Sequence, residues 1–178
     1  DWAVSRKIHH FDRSKEESSS WRYSEGVWKM KEDGLVNMTN REEIGSVKHR
    51  YQGTKKYQIK GEIEVDIQRA YQYYIELNAK GLHRDQVEFK KIDDQLFITS
   101  NIRNPDSPIR LTIYTPKLEA LYASGTDDIR IEGFDQEEMK IDFDSEYELK
   151  LLSKVEHLDI NQKGGGKIEL IGAGEILN

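Results

Sequence analysis

Short apolar-any-apolar triplets recur about every ten residues through the C-terminal half of the chain, with turn-forming residues between them. Seven such triplets follow one another: Leu111-Thr112-Ile113, Leu121-Tyr122-Ala123, Ile129-Arg130-Ile131, Met139-Lys140-Ile141, Leu149-Lys150-Leu151, Leu158-Asp159-Ile160 and Ile168-Glu169-Leu170. Alternation with a period of two over so few residues predicts a short β-strand with one buried face rather than an amphipathic helix.

Alternate triplets belong together more closely than consecutive ones do. Equivalent positions form two evenly spaced series, Leu121, Met139 and Leu158 in one, and Ile129, Leu149 and Ile168 in the other. This spacing predicts a coil of roughly 19 residues with two strands and two turns, and such coils stack into a solenoid. Small residues mark two predicted corners, with Gly125, Ser145 and Gly164-Gly165-Gly166 at one and Gly133, Ser153 and Gly172 at the other.

Stacking of this kind brings equivalent outward side chains onto neighbouring strands, about 4.8 Å apart. The spacing predicts three outward ladders: Arg130 with Lys150 and Glu169, Lys140 with Asp159, and Asp142 with Asn161. Most steps pair opposite or neutral groups, and only Arg130 beside Lys150 brings like charges together.

The rest of the chain is less regular. Residues 1–50 are predicted to be a polar N-terminal arm with a charged, serine-rich linker over 13–20, and Asp33-Gly34 predicts the turn of a hairpin. Residues 1–11 fit a short amphipathic helix, which is either a membrane- or partner-docking segment or an ordinary chain end. Residues 51–178 are predicted to be the β domain.

Within that domain, residues 51–110 predict hairpins or wide coils that lead into the solenoid. Alternation there includes Tyr71 and Tyr73 ahead of Ile75 and Leu77. Turns are expected at Gly81 and at Asp93-Asp94, and a longer loop is expected over residues 104–108.

Composition narrows the class of protein. Hydrophobic residues make up 36% of the chain and charged residues 34%, which suits an exposed, mainly β domain. The net charge of −6 argues against general nucleic-acid binding, and the absence of cysteine excludes disulfides, a thiolate nucleophile and cysteine-type zinc sites. No apolar run of 18 or more residues occurs, and because the chain begins with Asp1-Trp2, a signal sequence, lipoprotein signal or membrane tether before Asp1 is an expectation.

Three segments, residues 57–67, 95–98 and 109–125, together resemble the bacterial head GIN domain family, DUF2807, of autotransporter adhesins. The clearest phrase runs from Leu111 through Pro116 and Leu118 to Ser124-Gly125. The resemblance covers residues 57–178 and implies an all-β, right-handed parallel β-helix-like solenoid, exported by a bacterium of the Bacteroidetes type. It also implies an adhesion role without catalytic residues, and relatives that carry a lipoprotein signal or a PspC-type membrane region.

The sequence contains no pattern that assigns a catalytic, cofactor-binding or metal residue. The histidines are scattered over His9, His10, His49, His83 and His157. The chain has no Gly-x-Ser-x-Gly elbow, Walker loop or dinucleotide fingerprint. The acidic residues are either a solvated face or ligands of Ca²⁺, the candidates being Asp142, Asp144, Glu146 and Glu148 with Asp127 and Asp128.

The sequence thus favours a non-catalytic cell-envelope or surface module that binds glycan or protein, located in the periplasm, at the outer membrane or outside the cell. Two alternatives stay open: a polysaccharide-active β-helix enzyme that uses Lys140, Asp142 and Asp159, and the ectodomain of a PspC-type membrane stress protein. The C-terminal residues are expected to begin another coil, with Leu177 beside Leu158, and its open edge to pair with a second copy.

Overall fold

The computed structural model describes residues 20–23, 26–31, 34–37, 44–172 and 175–177, which belong to two compact units. The first unit contains strands β1 (Ser20–Tyr23), β2 (Gly26–Lys31) and β3 (Gly34–Asn37), paired antiparallel in the order β1-β2-β3. The helix predicted over residues 1–11 lies outside the described residues. The predicted linker lies there too, except for Ser20, which begins β1.

The second unit begins at Ile44 and is built of strands with one short helix, α1 (Gly81–Arg84). Its strands are β4 (Ile44–His49), β5 (Lys56–Lys60), β6 (Glu64–Arg69), β7 (Tyr74–Lys80), β8 (Val87–Ile92), β9 (Gln95–Ser100), β10 (Arg110–Thr115), β11 (Ala120–Ser124), β12 (Ile129–Asp144), β13 (Glu148–Lys163), β14 (Lys167–Ile171) and β15 (Glu175–Leu177). The all-β class predicted from the sequence is therefore correct. The division of the chain at residue 50 stays a prediction. Strand β4, which precedes that residue, pairs with β7 of the second unit.

One curled sheet holds all of these strands and divides into two halves. Half A has the order β4-β7-β10-β6, then residues 129–132 of β12, residues 148–152 of β13, and β14. Half B has the order β8-β9-β5-β11, then residues 139–144 of β12, residues 157–163 of β13, and β15. The long strands β12 and β13 run through both halves.

The parallel register agrees with most of the predicted spacing. Ile129 lies beside Leu149, Leu149 beside Ile168, and Met139 beside Leu158. The offset between β12 and β13 shortens by one between the Glu132–Leu152 pair and the Asp135–Lys154 pair, because a bulge in β12 adds an extra residue there. All three predicted outward ladders are confirmed by the same registers.

Two predicted pairs are wrong. Leu121 lies beside Ile141 rather than Met139, a shift of two residues that leaves the same face inward and so is invisible in the alternation. Leu158 lies beside Ile176 rather than Leu177. The connection from β14 to β15 causes this shift. Residues 152 and 157 of β13 pair with residues 171 and 175, so the stretch between β14 and β15 is one residue shorter than the stretch of β13 beside it.

The region before the triplets differs from a simple series of coils. Strands β8 and β9 form an antiparallel hairpin at Asp93-Asp94, as expected, whereas β7 pairs antiparallel with β10, which is distant in sequence. Gly81 begins α1 instead of forming only a turn, and Tyr71 is 99% exposed instead of sharing the inward face of Ile75. Tyr71 is exposed because β7 begins only at Tyr74.

The core consists of inward side chains from alternate strand positions of both halves, and they form one hydrophobic cluster. Its largest fully buried members are Tyr57, Phe143, Ile59, Ile63, Ile67, Ile75, Leu77, Leu96, Ile98, Ile109, Leu111 and Ile113. Because the inward positions are occupied by this packing, polar chemistry is concentrated on the outward surfaces of the two halves.

Candidate functional site

The outward surface of half B holds a groove of about 320 Å³, called groove B here. It crosses four neighbouring strands, β5, β11, β12 and β13. Its outward side chains form two rows, Gln58, Tyr122, Asp142 and Asn161 in one and Lys60, Ser124, Asp144 and Lys163 in the other. A polar groove floored by a rigid sheet is a preformed surface for a polar ligand.

Groove B is formed by differences in side-chain length along each row. In the second row, Ser124 is a short residue between the longer Lys60 and Asp144. In the first row, Tyr122 is half-buried and lies next to Gln58 on the neighbouring strand. The short serine leaves space above β11, and the neighbouring tyrosine supplies an aromatic ring that is not part of the core.

On the β12 and β13 side of groove B, hydrogen bonds and ion pairs hold Asp142 and Asn161. The Asn161 side-chain amide donates to Asp142 Oδ1 at 3.0 Å, and Lys140 Nζ lies 3.9 Å from Asp142 Oδ2. Lys140 Nζ is also 3.7 Å from Asp159 Oδ2, across the predicted ladder. Asp142 is therefore fixed in place and partly neutralised, which limits the freedom it would have as a reactive acid.

Three other charged side chains in groove B are not engaged by the rest of the described chain. Among the described residues, Lys60, Lys163 and Asp144 make no side-chain hydrogen bond or ion pair. A charged group that is not engaged within the protein keeps its full capacity to bind a ligand. Groove B therefore combines an aromatic ring, amides and a hydroxyl with charges that are free to interact.

A second groove, groove A, of about 300 Å³, lies on the outward surface of half A. Its cations are already paired: Arg110 Nε lies 2.9 Å from Glu64 Oε2, and Lys150 Nζ lies 3.2 Å from Glu169 Oε1. The Lys150 ammonium also lowers the pKa of Glu169. Groove A is a network of surface ion pairs and offers a ligand less than groove B does.

The like-charge contact predicted between Arg130 and Lys150 exists in the register, and neighbours on either side compensate it. The Arg130 guanidinium donates from Nη2 to Glu132 Oε2 at 2.7 Å, and it also lies beside Asp66 on β6. Lys150 turns instead to Glu169 on β14. The two adjacent cations thus have an acidic neighbour on each outer side, Asp66 on β6 and Glu169 on β14.

The predicted acidic candidates do not converge on one point. Glu146 accepts from the Gly165 backbone N–H at 3.1 Å, Glu148 pairs with Lys167 at 2.6 Å, and Asp128 accepts from the Glu148 backbone N–H. Burial raises the pKa of Asp127, with nearby Glu62 adding to the effect. Within the described part of the chain, no group of three or more histidine or acidic side chains is arranged to hold a metal ion.

The histidines are likewise apart. His9 and His10 lie outside the described residues. His49 packs on Phe89 with ring centroids 4.7 Å apart, and His83 Nε2 lies 3.2 Å from Asp106 Oδ1. His157 is an exposed residue of β13.

Helix length and hydropathy bear on membrane insertion. Across the described ranges, no helix is both long and apolar enough to span a bilayer.

The sequence predicted the Asp142 and Asn161 ladder, which forms the β12 and β13 side of groove B. It did not predict the side that β5 contributes. Gln58 and Lys60 come from β5, which lies far upstream of β11 in the chain yet directly beside it in the sheet. The outward position of Tyr122 was visible in its triplet, but its neighbours across the strands were not.

The comparisons with known proteins agree with this architecture. Residues 55–178 match the family model DUF2807, "Putative auto-transporter adhesin, head GIN domain". None of the curated proteins matches the chain in sequence.

Solved structures that share the fold include two with clear overall similarity. A protein described as a putative adhesin from Bacteroides fragilis NCTC 9343 is 14% identical with a TM-score of 0.56, over 76% of this chain and 79% of that one. A protein described as a putative lipid binding protein from Parabacteroides distasonis ATCC 8503 is 11% identical with a TM-score of 0.52, over 75% of this chain and 88% of that one. At these identities the similarity establishes the fold alone. Because the family model matches well over half of the chain, the protein belongs to the DUF2807 head GIN domain family.

Proposed function

We propose that this protein is a non-catalytic adhesin module of a bacterial cell surface or envelope, and that it binds glycans through groove B. The observation that carries the proposal is the composition of this groove, in which the half-buried Tyr122 adjoins amides, a hydroxyl and unengaged charges. Sugars present both apolar C–H faces and many hydroxyl groups. An aromatic face and directional polar groups in one groove are complementary to that combination.

The size of the site supports a small part of a larger glycan as the ligand. A volume of about 320 Å³ is at the lower end of the range for ligand sites, and the groove is open along the sheet rather than closed. A site of this kind binds weakly by itself. Adhesion would then come from many modules acting on one polymer, since multivalency raises the overall affinity without new contacts.

The finer architecture and location belong to the same proposal. We take residues 51–178 to be a right-handed parallel β-helix-like solenoid, and the parallel registers of β12 with β13 and of β13 with β14 support this arrangement. Its coils would each hold about 19 residues, as the spacing of the triplets predicts. The adhesin descriptions of the family and of the Bacteroides structure support a place in the periplasm, at the outer membrane or outside the cell. A surface protein is the other class of ligand that such a groove would accommodate.

The test is glycan binding by the chain and by two tyrosine variants. Tyr122→Ala removes the ring in groove B, and we expect about tenfold weaker binding of the preferred oligosaccharide in calorimetry. Tyr71→Ala is the control, because Tyr71 is 99% exposed and lies outside the groove. Equal affinity of both variants would place binding elsewhere and contradict the proposal.

Catalysis is tested with the same reagents. We expect no cleavage of uronic-acid polymers, as followed by the release of new reducing ends. Turnover that disappears in Asp142→Ala would replace the adhesin proposal with a polysaccharide-active enzyme, since Asp142 is one of the two acids that line the groove.

A further inference from the structure

The two cations of groove B lie at its two ends, on β5 and β13, and they have different neighbours in the sheet. Lys60 lies at the β5 end, and its neighbours in register are Thr99 on β9 and Ser124 on β11, neither of which carries a charge. Asp142 and Asp144 both lie on β12, and Lys163 lies beyond them on β13. The ligand-facing surface therefore runs from a cation on β5 through carboxylates on β12 to a second cation on β13.

The second lysine, Lys163, has a carboxylate on the neighbouring strand. Asp144 lies next to it in register, about 4.8 Å away at the backbone, so a ligand anion at Lys163 would also face that carboxylate. Lys60 lies two strand spacings from Asp144, about 10 Å at the backbone, and has no acidic neighbour directly beside it in its own row. Lys60 is therefore the cation of groove B that has no carboxylate beside it in the sheet.

We propose that groove B selects saccharides that carry a carboxylate, the hexuronic acids being the simplest class. This inference rests on the glycan-binding function proposed above. The ligand carboxylate lies at Lys60 over the short Ser124, where the ammonium and the hydroxyl both donate to it. The sugar ring then lies against Tyr122, and its hydroxyl groups donate toward Asp142 and Asp144.

The opposite orientation is disfavoured by the same charges. A ligand carboxylate at the β13 end would lie at Lys163 and beside Asp144, and like charges in contact are repelled. A neutral sugar satisfies the amides and the ring but leaves Lys60 without an anion. The groove therefore distinguishes acidic from neutral saccharides through one residue, and it also fixes the direction in which the chain of sugars lies.

The test compares a uronic-acid oligosaccharide with its carboxyl-reduced form, which is neutral and otherwise identical. Because Lys60 is exposed, we expect a modest preference, about three- to tenfold tighter binding of the acidic form at low salt. The preference should shrink when the ionic strength is raised from about 0.05 to about 0.5 M.

Two lysine variants locate the effect. Lys60→Gln should bind both oligosaccharides with the affinity that the wild type shows for the neutral one. Lys90→Gln makes the same charge change at an exposed position of β8 outside the groove and should keep the full preference. Unchanged thermal midpoints would show that both variants fold.

The possible outcomes distinguish selection for a carboxylate from glycan binding itself. If the wild type binds the acidic and neutral forms equally, selection for a carboxylate is wrong while glycan binding stands. If Lys60→Gln keeps the preference, the assigned carboxylate position is wrong. If neither oligosaccharide binds, both the inference and the proposed function are overturned.

Discussion

At the scale of single residues, the corner between half B and half A depends on backbone conformation. Gly125 and Gly164 have φ values of 62° and 82°, a region that residues with a side chain adopt at a cost. They follow Ser124 and Lys163, which lie in the same outward row of groove B. Ser145 lies at the same corner in the coil between them. It is held there by a hydrogen bond, its hydroxyl donating to the Thr126 carbonyl oxygen at 2.5 Å.

The two glycines predict different costs for the same substitution. A Cβ on Gly164 would lie 2.6 Å from the Ser145 carbonyl oxygen, whereas a Cβ on Gly125 would meet no atom within 4 Å. Both alanine variants bear about 1 kcal/mol of backbone strain, and Gly164→Ala adds about 1–3 kcal/mol of steric overlap. Urea denaturation should therefore show a clearly lower midpoint for Gly164→Ala, and equal midpoints would mean that the outer corner adjusts freely.

At the scale of the elements, one side chain replaces a missing strand partner. Gln136 follows the bulge in β12, and its amide faces the connection between β10 and β11. Its Oε1 accepts from the Leu118 backbone N–H at 3.3 Å, and its Nε2 donates to the carbonyl oxygens of Leu118 and Glu138 at 2.6 and 2.5 Å. The amide thus satisfies backbone groups that the sheet leaves unpaired.

Removing that amide should loosen the connection. Gln136→Ala leaves the Leu118 N–H and carbonyl without their partner, which costs about 1–3 kcal/mol of unfolding free energy. Gln136→Glu is the closer comparison, because an ionised carboxylate still accepts from the N–H but cannot donate to either carbonyl. We expect both variants to speed hydrogen exchange at Leu118, and unchanged exchange in Gln136→Glu would contradict the donor role.

At the scale of the whole second unit, the two ends of the curled sheet are finished in different ways. At one end, the antiparallel strands β4 and β8 are the outermost strands. At the other end, β14 and β15 pair only with β13 among the described strands, and Leu170 and Ile171 are 37% and 48% exposed. An edge with exposed apolar side chains favours pairing with another chain.

Association through the β14 edge is the corresponding prediction. Light scattering over a range of concentrations should show a mass above that of the monomer, and Ile171→Lys should restore the monomer because a lysine disfavours edge pairing. Ile92→Lys is the matched control, since Ile92 is equally exposed, at 47%, on β8 at the opposite end. Association should persist in this variant, and its loss there instead of in Ile171→Lys would place the pairing at the β8 edge. A monomer at high concentration of the unmodified chain would refute the prediction.

What could be predicted from the sequence was the local pattern and the spacing. The alternation of Ile129 and Ile131 marks a strand because inward and outward side chains alternate with a period of two, and the offset to Leu149 gives its neighbour. These are short-range properties of the chain. They were enough to recover the ladders from Arg130 to Glu169 and from Asp142 to Asn161.

The order of the strands in space was decided only by tertiary packing. Strand β5 lies between β9 and β11, although β9 comes later in the chain, and β7 closes back on β10 in the antiparallel sense. Alternation is the same for a strand in any of these positions, so it cannot select one of them. The sequence by itself determined which residues of the triplets face inward and the repeat along β12 and β13. The tertiary structure brought Lys60 of β5 beside Ser124 and so assembled groove B.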